Sequence, residues 1–192
     1  MNIFYLHNDP KVCAEMHNDK HCIKMILEYA QLLSTAHRVL DGVPTIDRGG
    51  ASGRQRTTYI LPDSRDAVLY RATHINHPSA VWVRQSYANY VWLSKLLTEL
   101  CREYTYRYGK VHKVERDGLE EELMYPPMNI PPHAPFTEPT PAMPDEVKVA
   151  GDSIASYKNY YISNKQHLAS WQGKVNSRNI PEWFVNADIS VS

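Results

Sequence analysis

The sequence lacks the features that mark membrane and secreted proteins. No run of about 18 apolar residues, the length a membrane-spanning helix needs, occurs in the chain. The first residues have neither the basic region nor the apolar stretch of a secretory signal. Three cysteines, Cys13, Cys22 and Cys101, cannot all pair and match no disulfide framework. We therefore expect a cytoplasmic protein with free thiols.

An excess of charge of one sign is also missing, because 21 Lys and Arg residues balance 21 Asp and Glu residues. A protein that only coats DNA would be basic, so the balance argues against that class but not against an enzyme with one basic face. Phosphate-binding loops, dinucleotide-binding glycine motifs, nucleophile elbows and zinc-ribbon spacings are absent as well. These absences leave acid–base chemistry by His, Asp, Glu and Lys, and we expect no cofactor.

Helical patterns dominate what the chain does contain. They predict helices from Pro10 to about residue 40 with a break near residues 17–19, from Asp63 to about residue 72, from Pro78 to Tyr108, and from residue 153 to about 171. No convincing strand alternation is present, so the predicted class is all-α, a compact single-domain helical bundle over residues 1–192. Residues 41–60 are predicted to form a flexible basic loop, and the prolines of 125–144 an extended strap.

A line of polar residues follows one side of the first long helix, whose other positions are apolar enough for a core. Its members recur every three or four positions: His17, His21, Lys24, Glu28, Gln31 and Thr35. The line is either an exposed edge or the wall of a polar cleft, and its acid–base residue types favour the cleft. His17 and His21 also have the spacing of two zinc ligands, but no second ligand pair accompanies them, so no metal is expected.

Polar and basic residues cluster at three further places. His74, Asn76 and His77 precede the helix that starts at Pro78, where they either cap the helix or help to bind a phosphate, and Arg84 follows two turns later. Basic residues interleave with tyrosines at 102–113, as in many nucleic-acid surfaces. Asp145 and Lys148 follow the proline-rich strap, where Asp145 is either a helix cap or a cleft residue.

Several runs of the sequence together resemble a family of small phage and bacterial proteins. The runs are HNDKHCIKMILE at 17–28, AQLLSTA at 30–36, THINHP at 73–78, YGKVHK at 108–113, PAMPD at 141–145 and PEWF at 181–184. This family is in turn distantly similar to the phage pyrimidine-dimer DNA glycosylases. The resemblance implies a compact, helical, cofactor-free enzyme that excises a modified or damaged pyrimidine, in anti-phage defence against modified cytosine or in repair.

The resemblance also implies roles for individual residues. His17, Lys20 and Lys24 match the histidine and basic places of the dimer glycosylases, while the acidic place falls on His21, so Asp19 or Glu28 would supply the carboxylate. Residue 2 is Asn, which favours retention of Met1 and therefore a monofunctional enzyme without strand cleavage. The predicted catalytic residues are Asp19, His21, Glu28, His17 and Lys24.

Double-stranded DNA with a flipped nucleotide is the expected partner. The residues predicted to bind it are Lys20, Arg38, His74, Asn76, His77, Arg84, Lys110, His112, Lys113 and Lys148. Two alternatives remain open at this point: a protein that sequesters a nucleotide signal in an anionic-ligand pocket, and an enzyme that installs a base modification.

Overall fold

Helices make up most of the described chain, and one small two-stranded sheet lies beside them. The computed structural model describes residues 1–47 and 55–189. The helices are α1 (Pro10–Met16), α2 (Asp19–Asp41), α3 (Arg65–Val68), α4 (Pro78–Gln85), α5 (Tyr87–Tyr108), α6 (Lys113–Arg116), α7 (Leu119–Glu122), α8 (Ser153–Asn164) and α9 (Glu182–Ile189). The strands are β1 (Val43–Asp47) and β2 (Arg56–Ile60). The mostly helical class is confirmed, and the sheet corrects the prediction of a purely helical fold.

Side-chain capping produces the predicted break between α1 and α2. α1 starts after Asp9, whose carboxylate accepts hydrogen bonds from the backbone N–H groups of Lys11 and Val12. α2 starts after Asn18, whose side-chain oxygen accepts one from the N–H of His21 at 2.9 Å. A residue in this capping position has extended backbone angles, so α1 cannot run on into α2.

α2 and α5 form the centre of the molecule, and α5 also packs against α1 and α4. The apolar positions of α2 are buried over most of its circumference, as the sequence predicts for an interior helix: Cys22, Met25, Ile26, Tyr29, Ala30, Leu32, Leu33 and Ala36. The N-terminal residues 3–6 are buried in the same core. Within the described residues, no helix has both the length and the apolar character needed to cross a membrane.

The helix predicted from Pro78 to Tyr108 is interrupted at Ser86, which separates α4 from α5. The Ser86 hydroxyl accepts from the N–H of Asn89, and the N–H of Tyr87 donates to the carbonyl of Pro131 in the strap. The Asn89 amide in turn donates to the carbonyl of Trp82 at the end of α4. Ser86 and Asn89 thus satisfy the helix ends locally, and Pro131 adds a partner from the strap that the local pattern does not reveal. Gly109 ends α5 in the left-handed conformation, as predicted.

Residues 43–47 and 56–60 form an antiparallel hairpin, which corrects the prediction of a flexible loop over 41–60. The register pairs Val43 with Ile60 and Ile46 with Thr57. The hairpin joins the body through Arg38 of α2, whose guanidinium donates to the carbonyl of Tyr59 at 2.8 Å. The rest of the predicted loop, residues 48–54, lies outside the described residues.

Residues 125–144 run along the helices without forming helix or strand. Side chains of the helical body hold this strap by its carbonyl groups. The Trp82 indole donates to the carbonyl of Thr137, and the Tyr157 hydroxyl donates to that of Thr140. Asn2 donates to the carbonyl of Ala142 at 2.7 Å. The strap thus connects the N-terminal segment with α4 and α8.

A buried arginine joins the C-terminal segment to the helical core. Arg107 has no exposed side-chain surface, and it donates to the carboxylates of Glu103 and Asp19 and to the carbonyls of Glu15 and His17. Its own carbonyl accepts from the N–H groups of residues 174 and 175. α8 ends at Asn164, earlier than predicted, and the chain then returns to this arginine. We call this cluster the Arg107 anchor.

We predict that Arg107→Met lowers the free energy of unfolding by about 3–5 kcal/mol. Asp19 loses its cation, Glu103 keeps only Arg178, and two backbone carbonyl groups lose a buried donor. Urea unfolding followed by circular dichroism measures this loss. The matched control is Arg102→Met on the same helix, where an exposed pair with Glu99 should contribute less than about 1 kcal/mol. Equal losses in the two variants would contradict the role of the anchor.

Candidate functional site

The structure divides the predicted polar line along α2 into two parts. His17 and His21 lie inside the core, and Thr35 is also buried. Lys24 is exposed, whereas Glu28 and Gln31 are half-buried at the surface. The predicted catalytic set is therefore not one cluster, and each member has to be placed separately.

His17 is a core residue and not the predicted acid–base group. Its Nδ1–H donates to the carbonyl of Cys13 at 2.7 Å, and its Nε2 accepts from the hydroxyl of Tyr29 at 2.8 Å. The Tyr29 oxygen also accepts from the N–H of Phe4. Burial lowers the pKa of His17 to about 4. With no exposed surface and both nitrogens engaged, this imidazole cannot reach a substrate.

His21 is similarly enclosed, which corrects its prediction as a catalytic residue. Its Nδ1 lies 2.6 Å from the hydroxyl of Tyr161, and the ring of Phe4 stacks on it at 4.1 Å between centroids. Burial, and then the charges of His17 and Lys165, lower its pKa to about 3. The ring is a neutral, packed part of the interior.

Asp19 belongs to the Arg107 anchor and not to a cleft, which corrects its prediction as a catalytic carboxylate. Its Oδ1 accepts from Arg107 at 3.1 Å, and its Oδ2 accepts from the hydroxyl of Ser170 at 2.6 Å. The N–H groups of Gln172 and Gly173 donate to the same carboxylate. A carboxylate with this many donors is occupied in holding the C-terminal segment.

Glu28 is the predicted carboxylate that remains in a chemically open position. Its side chain is 16% exposed, and its oxygens lie 3.0 Å from the Lys24 ammonium group and 3.7 Å from the amino group of Met1. Asn2, bound to the carbonyl of Ala142, and the buried residues 3–6 fix the segment that carries that amino group. No pattern in the sequence indicated that Met1 would lie beside Glu28.

His77 lies within electrostatic range of the same carboxylate. Burial lowers the pKa of His77, and the charges of the Met1 amino group and His74 act in the same direction, whereas Glu28 opposes them. The Nδ1 of His77 accepts from the N–H of Ser79 at 3.2 Å, so His77 caps α4, as predicted as one alternative. That bond leaves the proton of the neutral ring on Nε2. We call Lys24, Glu28, His77 and the Met1 amino group the Glu28 cluster.

A cleft of about 850 Å³ adjoins the Glu28 cluster. Its walls are α2, the hairpin and residues 70–74, and Gln31 lines it one helical turn from Glu28. Its volume falls within the range of roughly 300–1,000 Å³ that is usual for ligand sites. The cleft also contains three arginines, of which Arg38 was predicted to bind DNA together with His74, Arg56 lies in the predicted basic loop, and Arg71 was not predicted. Arg71 follows the short helix α3, and only its closeness to His74 in sequence could have indicated it.

Two of the predicted DNA-binding arginines have structural roles instead. Arg38 donates to Asp66 and to the carbonyls of Tyr59, Leu69 and Tyr70. Arg84 donates to the carbonyls of Ile75 and Ala80. Their N–H groups hold the cleft wall and the turn before α4, so we correct the prediction that they bind phosphate.

The remaining predicted DNA-binding residues differ in their positions. His74 and Asn76 are exposed in the turn before α4, and His74 lines the cleft with a left-handed backbone. Lys20, Lys110 and Lys113 are exposed, and His112 caps α6, which packs against α2. Lys148 follows a 3₁₀ turn packed against α8, where it pairs with Asp145 at 2.7 Å.

A second groove of about 530 Å³ runs along α5. Its lining mixes charges of both signs, and its Glu99 and Arg102 already pair with each other at 2.6 Å. The cleft near Glu28 is the better candidate, because its lining carries more arginines than carboxylates. Two of its lining residues, Gln31 and His74, also lie one helical turn from Glu28 and three residues from His77, respectively.

Neither a metal centre nor a relative adds to this description. Among residues 1–47 and 55–189, no three His, Cys, Asp or Glu side chains converge as metal ligands would. Comparisons with protein-family models, curated proteins and solved structures find no match to the chain.

The buried histidines predict a loss of stability in mild acid. Burial lowers the pKa of His17 to about 4, of His21 to about 3 and of His37 to about 4. Because the unfolded chain takes up these protons near its ordinary histidine pKa of about 6.5, their contribution is complete above that pH and falls as the pH drops towards 4. Each histidine contributes a slope of about 1.4 kcal/mol per pH unit within this window.

Urea unfolding at several pH values between 7 and about 5 measures this slope. Most carboxylates titrate below this range and therefore contribute little to it. His21→Phe should reduce it by less than about a third, because His17 and His37 remain and because burial also lowers the pKa of His77 and of His112. The exposed His167→Gln variant should leave the slope unchanged. An unfolding free energy that does not vary over this pH range would exclude the buried neutral state of the three rings.

Proposed function

We propose that the protein is a DNA glycosylase that hydrolyses the N-glycosidic bond of a modified or damaged pyrimidine. The observation that carries the proposal is the Glu28 carboxylate, half-buried between two cationic groups beside a basic cleft of nucleotide size. The resemblance to small phage and bacterial proteins supports the same reaction class. DNA repair and defence against phages with modified cytosine are the two settings consistent with it.

The chemistry requires a negative charge near the sugar and a proton donor near the base. When the N-glycosidic bond breaks, its electron pair leaves with the base and positive charge develops on the sugar. The Glu28 carboxylate would stabilise that charge and orient the water whose oxygen adds to the sugar carbon. Nε2–H of the neutral His77 is the group available to donate a hydrogen bond to the departing base.

Substrate access requires a nucleotide that has left the base stack. A pyrimidine inside a duplex cannot reach a half-buried carboxylate, so the target would be flipped into the cleft. Exposed cations near α2, namely Lys20, Lys24 and Arg71, would hold the flanking phosphates. The expected partner is therefore double-stranded DNA that is locally opened.

We predict that Glu28→Gln lowers the excision rate at least about a hundredfold, because the isosteric amide cannot stabilise the sugar cation. Duplexes prepared from phage DNAs with different cytosine and thymine modifications are incubated with enzyme and then treated with alkali to reveal abasic sites. Glu99→Gln is the matched control, since it removes an ion-paired carboxylate on another helix. DNA affinity and the unfolding midpoint of both variants should stay near those of the unchanged protein.

Three results would count against the proposal. Full activity of Glu28→Gln would remove Glu28 from the reaction. Intact DNA with a small nucleotide retained by the protein would favour sequestration. An increase in the mass of the DNA bases, without abasic sites, would favour an enzyme that installs a base modification.

We also predict that borohydride traps no covalent enzyme–DNA adduct. The amino group of Met1 is ion-paired with Glu28, so it is not free to attack the sugar carbon. Denaturing gels of reactions with and without borohydride measure the adduct and strand cleavage together. A trapped adduct would show that an amine of the enzyme attacks the sugar, and would contradict the monofunctional mechanism.

A further inference from the structure

The hairpin is an exposed arm on the wall of the cleft. It is described over residues 43–47 and 56–60, and it contacts α2. Its large aliphatic side chains face solvent: Val43, Ile46 and Ile60, with Ile46 67% exposed. In the ladder Val43 opposes Ile60, while Ile46 lies on the other face opposite Thr57. Such exposure on a short, paired ribbon indicates a binding surface more than a packing element.

Arg38 fixes the arm at its base and so sets the width of the cleft. Its guanidinium donates to the backbone carbonyl of Tyr59 in β2 at 2.8 Å and to the backbone carbonyl of Tyr70 on the opposite wall at 2.6 Å. Asp66 accepts from the same arginine and from the N–H of Leu61, just beyond β2. A single buried arginine thus links the two walls, and the arm is held in place before any ligand binds.

The charge of the cleft identifies the kind of ligand that it would accept. Its one lining carboxylate among the described residues, Asp66, is neutralised by Arg38 at 2.6 Å. The side chains of Arg56, Arg71 and His74 line the same cleft, and Arg71 is solvent-exposed. The exposed guanidinium of Arg71 therefore gives the cleft a positive charge, which suits a polyanion.

We infer that the β1–β2 arm and the cleft form a DNA-docking surface, in which the cleft holds the phosphodiester backbone and the arm enters a groove with Ile46 against the bases. The inference rests on the proposed function for the identity of the polyanion. A two-stranded ribbon fits the major groove, and apolar side chains of DNA-binding proteins wedge between base steps. Phosphate contacts from Arg71 would set the position of the arm on the duplex.

A protein strand added to the edge of the hairpin is the competing occupant. Two observations favour DNA. Pro44 removes a backbone donor from β1, which weakens strand addition at that edge. The exposed Arg71 on the opposite wall also favours an anionic occupant over a neutral strand.

The test uses the full-length protein and a short duplex with a tetrahydrofuran abasic analogue, with 2-aminopurine beside it. Ile46→Ser should weaken binding about tenfold and reduce the 2-aminopurine signal of base unstacking. Arg71→Gln should also weaken binding and lower the salt dependence of log affinity by about one unit. Val175→Ser, which alters a side chain of similar exposure outside the arm, is the control for Ile46, and Arg102→Gln is the control for Arg71.

The outcomes separate this inference from the proposed function, because binding to the analogue needs no excision. Loss of affinity in both test variants supports the surface even if no base is excised by the unchanged protein. If both variants keep the DNA affinity and salt dependence of the unchanged protein, and excision is intact, the inferred docking surface is wrong while the proposed function stands. A dimer in light scattering that Ile46→Ser dissociates, with DNA affinity unaffected, overturns it in favour of a second copy of the chain.

Discussion

The buried guanidinium of Arg107 is the constraint on which the rest of the structure depends. A fully buried cation is stable only when its donors are satisfied, and here the partners come from α1, from the start of α2 and from α5 itself. The arginine therefore fixes the break between α1 and α2. Because the Tyr29 hydroxyl binds both His17 at that break and the N–H of Phe4, the same geometry positions the N-terminal segment. That segment brings the amino group of Met1 to Glu28.

This constraint explains why several polar residues with catalytic side-chain types are structural. Asp19 neutralises Arg107, and His17 forms hydrogen bonds to both α1 and α2. Arg38 joins two walls of the cleft. The line along α2 was predicted correctly as one helical face from residue 21 onwards, but periodicity cannot tell whether a face meets protein or solvent. The C-terminal segment and the N-terminal residues cover its first turns, so only Lys24, Glu28 and Gln31 remain near water. Burial by distant segments thus decides which acid–base residues are free to react.

The features predictable from sequence are those that local chemistry determines. Asp9 before Pro10, Asn18, Gly109 and Asp152 act on backbone groups within a few residues, and the helix boundaries at these positions agree with the predictions. The hairpin depends instead on Arg38, and the break at Ser86, although Ser86 caps α5 locally, gains a partner from Pro131; both are distant in sequence. The hairpin also lacks apolar alternation, because neither face is covered. The cleft could not be predicted for the same reason, since its walls come from three separate segments.

The zero net charge of the chain is compatible with a basic cleft because the acidic residues are used unevenly. Glu103 and Asp19 are occupied by Arg107, Arg178 contributes to the same cluster, and Asp41 and Asp63 both pair with Arg65. Other carboxylates lie together on α7, at Glu120, Glu121 and Glu122. Carboxylates neutralised inside the protein do not reduce the potential at the cleft, where Asp66 is paired and further arginines line the wall. Net charge therefore argues against uniform coating of DNA, whereas the local field beside Glu28 is set by which ion pairs the fold completes.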